Sequence, residues 1–360
     1  MENGENQYVG GYRLLTPLTS KNSGFAKWGK AEKDGNIFFI KEFLSPVMPG
    51  ADAPLSDRIR REKEAEARNF FEEKRKLYAT IKEANTGNII FIREFFLFQG
   101  HFYITTEFVE ESGISMEDIS KLSMDKKILL MKVLAYSLQG LHEKKIIHGD
   151  LKPQNILVKE TIEGFYTVKL IDFDSSMFEW QVSEVAEELQ GDMVYMAPEV
   201  FKIMIGENVK LTTKADIFSL GLLFTQYLTG KLPEISEEYD YCYEAVLNGE
   251  TCRIPESIPK EYRKLIRMML NVNPQKRPSL QQILKTLDEG KYQETKSPEQ
   301  KPPVALKKPE SDIFMTPQMY GDDSCISQSY EEGCFVSDKK NVENQEQKFR
   351  ISENLISKVK

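Results

Sequence analysis

The chain has 360 residues, of which 40% are hydrophobic, so a two-lobed or two-domain body with a sizeable core is expected. Its formal net charge of −8 argues against nucleic acid or an anionic membrane as the main partner. No apolar run reaches the roughly 18 residues of a membrane span, and the polar, acidic N-terminus is unlike a signal peptide. The four cysteines show no metal-ligand spacing and no disulfide density, which predicts a cytoplasmic location.

From the first part of the sequence we predict a disordered N-terminus at residues 1–10 and a strand-rich lobe at residues 11–108. Strands rich in β-branched and aromatic residues are predicted at 12–18, 25–32, 36–43, 89–98 and 101–108. Asp34-Gly35 is the predicted hairpin turn between the second and third strands. A long helix is predicted between the third and fourth strands, from an N-cap at Ser56 to about Glu83, because apolar residues recur there at helical spacing.

Residues 109–290 predict a larger, mainly helical lobe. Its helices are predicted at 128–142, 214–229, 241–248, 260–270 and 280–287, with a small hairpin formed by 156–158 and 168–171. From 291 to 360 the composition is rich in Pro, Lys and Glu without periodicity. Such a segment cannot bury enough surface to offset its ordering entropy, so we predict a mostly disordered tail. The tail is a candidate for recruiting a partner or for autophosphorylation.

Several motifs follow one another along the two predicted lobes. They are FFIK ending at Lys41, TEFVEE beginning at Thr106, HGDLKPQN at residues 148–155, DFD beginning at Asp172, APE ending at Glu199, DIFSLG, and NPQKRPS, which contains Arg277. In this order, and with this lobe organisation, they resemble the eukaryotic-type (Hanks-type) protein kinases over about residues 11–289.

The resemblance implies an α+β, bilobal protein-kinase-like fold. The small N-terminal lobe would hold an antiparallel sheet with one long helix, and the C-terminal lobe would be larger and mainly helical. The implied activity is transfer of the ATP γ-phosphoryl group to Ser or Thr hydroxyls of protein substrates, because Lys-Pro-x-Asn is the serine/threonine form of the loop. ATP and Mg²⁺ are the implied cofactors, with Mn²⁺ as an alternative metal.

The HGDLKPQN stretch resembles the catalytic loop of that family. Asp150 would orient the attacking hydroxyl and accept its proton, and Lys152 would neutralise charge on the transferred group. Asn155 would hold one metal ion through its amide oxygen, and Asp172 would chelate the metal ion that bridges the phosphates.

The resemblance also implies a nucleotide site in which Lys41 holds the α- and β-phosphates. Its ion-pair partner from the long helix would be Glu73, with Glu72 as the second choice. The remaining implied contacts are Gly24 and Phe25 in the phosphate-covering loop, the backbone of Glu107 and Val109 at the adenine edge, Thr106 behind the pocket and Leu157 on its floor. In the scaffold, Glu199 would pair with Arg277, and Asp216 would accept hydrogen bonds from the catalytic-loop backbone.

The chain departs from the family pattern at several positions. Phe39 replaces a small alanine and Trp28 replaces a valine, so a bulky nucleotide roof is expected. Asp174 stands where the family has glycine in Asp-Phe-Gly. Asp192 replaces a threonine near the catalytic aspartate and is a candidate partner of Lys152. In the family, the activation segment would run from Asp172 to Glu199. Gly149 replaces the arginine that pairs with a phosphate in this segment, which marks a divergent non-RD member whose activity would not require that pair.

Two alternative functions stay open. The bulky roof is one feature of a pseudokinase that acts as a signalling scaffold. Another is the phosphate-covering loop, in which Ser23 and Ala26 stand where the family usually has glycines. The triplet His148-Gly149-Asp150 also occurs in small-molecule phosphotransferases of the aminoglycoside type. Against these alternatives, Lys41, Asp150, Asn155 and Asp172 are all present. The Lys-Pro, APE and DIFSLG motifs would also build a peptide-docking segment that small-molecule enzymes lack.

Overall fold

The N-terminal lobe is built on one antiparallel sheet of six strands. The computed structural model describes residues 7–21, 26–109, 114–160, 166–181 and 191–289. The strand order is β1-β2-β3-β4-β6-β5. The strands are β1 (Tyr8–Val9), β2 (Tyr12–Leu14), β3 (Ala26–Lys33), β4 (Asn36–Phe43), β5 (Ile92–Phe98) and β6 (His101–Glu107). Both residues of the β3–β4 turn, Asp34 and Gly35, have positive φ as predicted for a tight hairpin.

Three predictions in this lobe need correction. The strand predicted at 12–18 ends at Leu14. Residues 8–9 were predicted to be disordered, but they form β1 and pair with β2 because Val9 and Tyr12 are buried in the sheet's hydrophobic core. The predicted strand 89–98 is interrupted, since regular pairing begins only at Ile92. Before that point, the Ile90 backbone N–H donates to the carbonyl of Leu170 in the other lobe. Ile89 and Ile90 therefore link the lobes, whereas the Phe91 carbonyl already accepts a hydrogen bond from the Glu107 backbone N–H of β6 at 2.9 Å.

The long helix α1 (Asp57–Ala84) packs on this sheet. Ser56 is its N-cap, as predicted, and its side chain accepts a hydrogen bond from the Ile59 backbone N–H. Phe70 and Phe71 of the helix contact aromatic rings of the sheet, among them Phe95 and Phe102, at centroid distances between 5.2 and 6.2 Å. Phe70 also packs edge-on against Phe43 of β4, the strand that carries Lys41, at a centroid distance of 5.5 Å.

The C-terminal lobe is mainly helical. Its helices are α2 (Met116–Lys121), α3 (Met124–Glu143), α4 (Pro198–Met204), α5 (Lys214–Thr229), α6 (Cys242–Leu247), α7 (Lys260–Met269) and α8 (Leu280–Glu289). Helix α5 lies at the centre of the lobe, and only three of its residues are not buried: Lys214, Gln226 and Thr229. The short helices α2 and α4 were not predicted from the sequence, whereas the equally short α6 was.

Four short strands of the C-terminal lobe position the site. The hairpin of β8 (Ile156–Glu160) and β9 (Tyr166–Leu170) confirms the prediction for this region. Strand β7 (Ile146–Ile147) pairs with β10 (Met177–Phe178). Within the described part of the chain, no helix is long and apolar enough to cross a membrane. The predictions for residues 1–6 and for the tail lie outside the described residues.

Candidate active site

The loop between β7 and β8 gathers the predicted catalytic side chains around one carboxylate. Pro153 opens a short 3-10 turn (Pro153–Asn155) that turns Asn155 back toward Asp150. The Asn155 amide nitrogen donates to the Asp150 carbonyl and to its carboxylate, both at 2.8 Å. The Lys152 ammonium lies 2.8 Å from the same carboxylate oxygen. Because its nitrogen is directed at Asp150, Asn155 keeps its amide oxygen as the atom able to bind a cation.

A second group of charges joins the two lobes. Lys41 of β4 lies 3.0 Å from an Asp172 carboxylate oxygen, although 131 residues separate the two in sequence. Burial alone would lower the pKa of Lys41, but the attraction of Asp174 and Asp172 outweighs burial and raises it. Burial likewise opposes ionisation of Asp172, yet Lys41 holds the pKa of this carboxyl below its usual value. The Ile171 backbone N–H donates to the Asn155 carbonyl at 3.0 Å, which ties this group to the catalytic loop.

The sequence analysis noted Asp174 as a departure from glycine but did not predict its contact with Lys41. Its carboxylate lies 2.6 Å from the Lys41 ammonium, closer than that of Asp172, and its carbonyl accepts a hydrogen bond from Lys74 of α1 at 2.5 Å. Burial and the charge of Asp172 raise the pKa of Asp174. The departure from glycine was visible in the sequence, but no local pattern connects this position with a lysine on β4.

Glu73, the predicted partner of Lys41, lines a groove between α1 and residues 178–181. The groove has a volume of about 560 Å³. On its other side the Phe178 and Trp180 rings are stacked 4.3 Å apart, and the Lys76 ammonium lies over both. Asp172 and Asp174 are the ion-pair partners that the structure gives Lys41, so a Lys41–Glu73 pair stays a prediction.

The predicted scaffold contacts are confirmed. Arg277 donates both terminal guanidinium nitrogens to the Glu199 carboxylate, at 2.6 and 2.7 Å, and the Arg277 side chain is fully buried. Asp216 accepts hydrogen bonds from the backbone N–H groups of His148 and Gly149, at 2.9 and 3.1 Å. Hydrogen bonds from His142 and His148 outweigh burial and hold the pKa of Asp216 below its usual value.

Asp192 does not pair with Lys152, the partner considered for it in the sequence analysis. Its carboxylate accepts a hydrogen bond from the Val194 backbone N–H at 2.9 Å, which closes a local turn. Its own backbone N–H donates to Asp150 at 3.1 Å. Lys152 pairs with Asp150 instead of Asp192, because the short catalytic loop brings these two side chains together.

Comparison with known proteins gives the family. The protein kinase domain model matches residues 57–287. Similar proteins include an Aurora kinase from Schizosaccharomyces pombe, 27% identical over 292 residues, which cover 77% of this chain and 71% of that protein. Another is the ovarian-specific serine/threonine-protein kinase Lok of Drosophila melanogaster, 33% identical over 190 residues, which cover 51% of this chain and 39% of Lok.

The chain belongs to the protein kinase family. The match confirms the predicted family, fold class and enzyme class, a serine/threonine protein kinase. A further relative, the putative mitogen-activated protein kinase kinase kinase 7-like protein of Drosophila melanogaster, is 28% identical over 200 residues, 52% of this chain and 48% of that protein. The chain thus spans less than half of the length of two of these three relatives.

The face of β3 and β4 that the sequence predicts to cover the nucleotide is aromatic. Trp28 on β3 lies opposite Lys41 in the sheet, and its ring stacks on Phe39 at a centroid distance of 5.7 Å. Phe39 lies on the same face of β4 as Lys41, two residues away. The predicted contacts at Gly24 and Phe25 lie outside the described residues.

The region predicted to bind adenine is held by a side-chain network. Glu107, at the end of β6, accepts a hydrogen bond from the Phe91 backbone N–H at 2.7 Å and pairs with Lys169 at 2.5 Å. This network links the end of β6 to the residue 91 backbone and to β9 of the C-terminal lobe, and the adenine contacts of the Glu107 and Val109 backbone stay a prediction. Leu157 of β8 is half-buried opposite Lys169.

The donor set of the kinase fits Mg²⁺. Asp172 offers carboxylate oxygens and Asn155 an amide oxygen, which are the hard ligands that this ion prefers, and nucleotide phosphates usually complete its shell. No cluster of three or more His, Cys, Asp or Glu side chains suited to a metal occurs among the described residues. A metal bound by one carboxylate, one amide and phosphates is consistent with that finding.

Proposed function

We propose that this kinase transfers the γ-phosphoryl group of ATP to serine or threonine hydroxyls of protein substrates. The observation that carries the proposal is the convergence of Lys152 and Asn155 on Asp150, both at 2.8 Å, in a loop hydrogen-bonded to the Asp172 segment. Its Lys-Pro sequence and the serine/threonine kinases among the relatives support the choice of acceptor.

Each side chain has one task in the proposed reaction. Asp150 orients the substrate hydroxyl toward the phosphorus atom and accepts its proton. Lys152 offsets the charge that develops on the transferred group, and Lys41 binds the phosphates that remain. Asn155 and Asp172 would hold Mg²⁺, which supplies further positive charge when it is bound with ATP.

A peptide acceptor is supported by the way the segment before α4 is anchored. The buried Arg277–Glu199 pair fixes its end, and the Ser219 hydroxyl donates to the Tyr195 carbonyl at 2.7 Å. A firmly anchored segment beside Asp150 offers an edge along which a peptide can lie. A small-molecule phosphotransferase has no need of such an edge, so this anchoring disfavours the aminoglycoside-type alternative.

Activity would not depend on an activation-segment phosphate paired with arginine. Gly149 offers no cation for such a phosphate, and other contacts tie the start of the segment to the lobe. The Ser176 hydroxyl donates to the His148 carbonyl at 2.9 Å, and Met177 and Phe178 of β10 pair with β7. The Glu179 carboxylate accepts from both the backbone N–H and the hydroxyl of Thr213 at about 3 Å, as a phosphate would.

A radioactive-phosphate assay tests the function. The full chain is incubated with γ-labelled ATP, Mg²⁺ and a generic protein acceptor, and the labelled amino acids are identified. Asp150→Asn is expected to lower incorporation by about 100-fold or more, the range for loss of a general base. Asp125→Asn in the first turn of α3 is the matched control and should match the parent.

The outcomes of this assay separate the three functions. Labelled phosphoserine or phosphothreonine that depends on Asp150 supports the kinase. ATP binding without any incorporation would make the protein a pseudokinase, and incorporation into an aminoglycoside but not into protein would favour the small-molecule enzyme. A cytoplasmic location and a role of the tail in recruiting partners stay predictions.

A further inference from the structure

Lys41, the residue proposed to bind the nucleotide phosphates, contacts the carboxylate of Asp174. The glycine that the family has at this position has no such carboxylate. Its ammonium lies 2.6 Å from the Asp174 carboxylate and 3.0 Å from that of Asp172. The Lys41 side chain is only 11% exposed, and that of Asp174 is 29% exposed. The pair is thus largely screened from water, where an ion pair is stronger than on an open surface.

The position of Asp174 is held from a second direction. Lys74 of α1 donates to the Asp174 carbonyl at 2.5 Å, so the backbone is fixed on one side while the carboxylate reaches Lys41 on the other. A glycine at this position could accept the Lys74 hydrogen bond equally well, since that bond uses only the carbonyl. The carboxylate is therefore the one element that Asp174 adds. It forms an ion pair with Lys41, and the positive charge of Lys74 also attracts it.

Phosphate binding at Lys41 conflicts with this arrangement. Two of the three N–H donors of the Lys41 ammonium face carboxylates, so at most one remains for a phosphate oxygen while both carboxylates stay bound. A carboxylate that remained in place would also repel the incoming triphosphate. Asp172 is needed at the site as the proposed metal ligand, so Asp174 is the contact that would be given up.

We propose that Asp174 is a positioning residue that competes with the nucleotide phosphates for Lys41 and thereby weakens ATP binding. This inference rests on the proposed function, because it takes ATP as the ligand of the cleft. The Asp174 carboxylate keeps Lys41 placed and paired in the nucleotide-free protein. ATP must displace this carboxylate from Lys41, and the free energy of that exchange weakens the binding of ATP.

The test compares ATP with adenosine on the full-length protein. Dissociation constants are measured for the parent, Asp174→Asn and Asp174→Gly, once in EDTA and once with Mg²⁺. Asp174→Asn is expected to bind ATP about three- to tenfold more tightly in EDTA, as expected when one charged competitor is removed. Adenosine, which has no phosphate, should bind all variants equally. Glu207→Gln, which removes one charge from an exposed ion pair in the C-terminal lobe, should behave like the parent.

Kinetics and folding give independent readouts. The KM for ATP should fall in both Asp174 variants while kcat changes little, a split that general damage to the fold would not produce. Thermal unfolding without nucleotide shows whether each variant is folded. Asp174→Gly, which keeps the Lys74 hydrogen bond and restores the family residue, serves where Asp174→Asn folds poorly.

Three results would overturn the inference. One is unchanged ATP affinity in folded Asp174 variants. Another is an equal change for ATP and adenosine, which would mean that the base pocket, and not the phosphate contact, was altered. A third is weaker ATP binding only with Mg²⁺, which would make Asp174 a metal ligand. Failure of the folded parent to bind ATP at all would instead contradict the proposed function itself.

Discussion

A Cβ atom at Gly149 would lie 2.5 Å from the Ser175 carbonyl oxygen, closer than such atoms can approach. Gly149 also has φ of +81°, in the left-handed region that favours glycine. A glycine is therefore needed after His148, because the backbone at this position has positive φ and passes directly beneath Ser175, near the start of the activation segment. An arginine at this position would meet the same clash, so the close approach by itself accounts for a glycine here.

Substitution of Gly149 should be costly. Gly149→Ala is expected to destabilise the protein by about 2 kcal/mol or more, because strained φ and a backbone clash add together. Gly35→Ala is the matched control, since Gly35 also has positive φ but nothing within 4 Å of the added Cβ. It should cost only about 1 kcal/mol. Urea unfolding measures both, and equal costs would show that the Ser175 contact imposes no strain.

The serines of the activation segment should be dispensable as phosphorylation sites. Changing Ser175, Ser176 and Ser183 to Ala is expected to leave a kinase that is active on protein substrates. Ser176 is buried and bonded to His148, so Ser176→Ala alone should cost about 1 kcal/mol of stability. Ser183 lies outside the described residues. A collapse of activity in the triple variant, together with phosphatase inactivation of the parent, would contradict phosphate independence.

Asp192→Thr should leave a folded kinase with altered activity. The Asp192 carboxylate closes a turn whose backbone N–H contacts Asp150, so its replacement shifts a donor to the proposed base. A threonine hydroxyl can form a similar but weaker turn, which keeps the fold intact. The rate and the profile of accepted peptides are measured for both proteins. An unchanged rate with an unchanged profile would refute a role for this residue near the reaction.

The aromatic roof should limit which nucleotides and inhibitors enter the cleft. Phe39→Ala removes the ring stacked on Trp28 and is expected to improve binding of ATP analogues with a bulky base by about tenfold. Ile37→Ala on the same strand is the control, because Ile37 is half exposed at the far end of β4. Competition binding measures the effect. Equal affinities in Phe39→Ala and the parent would place the roof outside the base pocket.

The Glu199–Arg277 pair should matter for stability. Glu199→Gln leaves the fully buried Arg277 charge without its counter-ion, and the expected loss is about 3 kcal/mol. Glu207→Gln breaks the exposed pair with Lys202 and should cost less than about 1 kcal/mol. Thermal unfolding compares the two. Similar melting temperatures would mean that water reaches Arg277.

The sequence by itself determined the lobe order, the long helices, the β8–β9 hairpin and the contacts of Asp216 and Arg277. Periodic apolar residues define α1 and α5 locally, and the ordered motifs carry the family resemblance from which the scaffold pairs follow.

Only the tertiary structure decided which charges meet at Lys41, which serine of the activation segment is buried, and where β5 begins. Asp174 and Lys41 are far apart in sequence, and their contact depends on how two lobes and α1 pack together. Ile89 and Ile90 fit a strand pattern, yet they pair with Leu170 of β9 because the lobes meet there. Short-range patterns record which face of an element is apolar, whereas the partner of a charge is set by long-range packing.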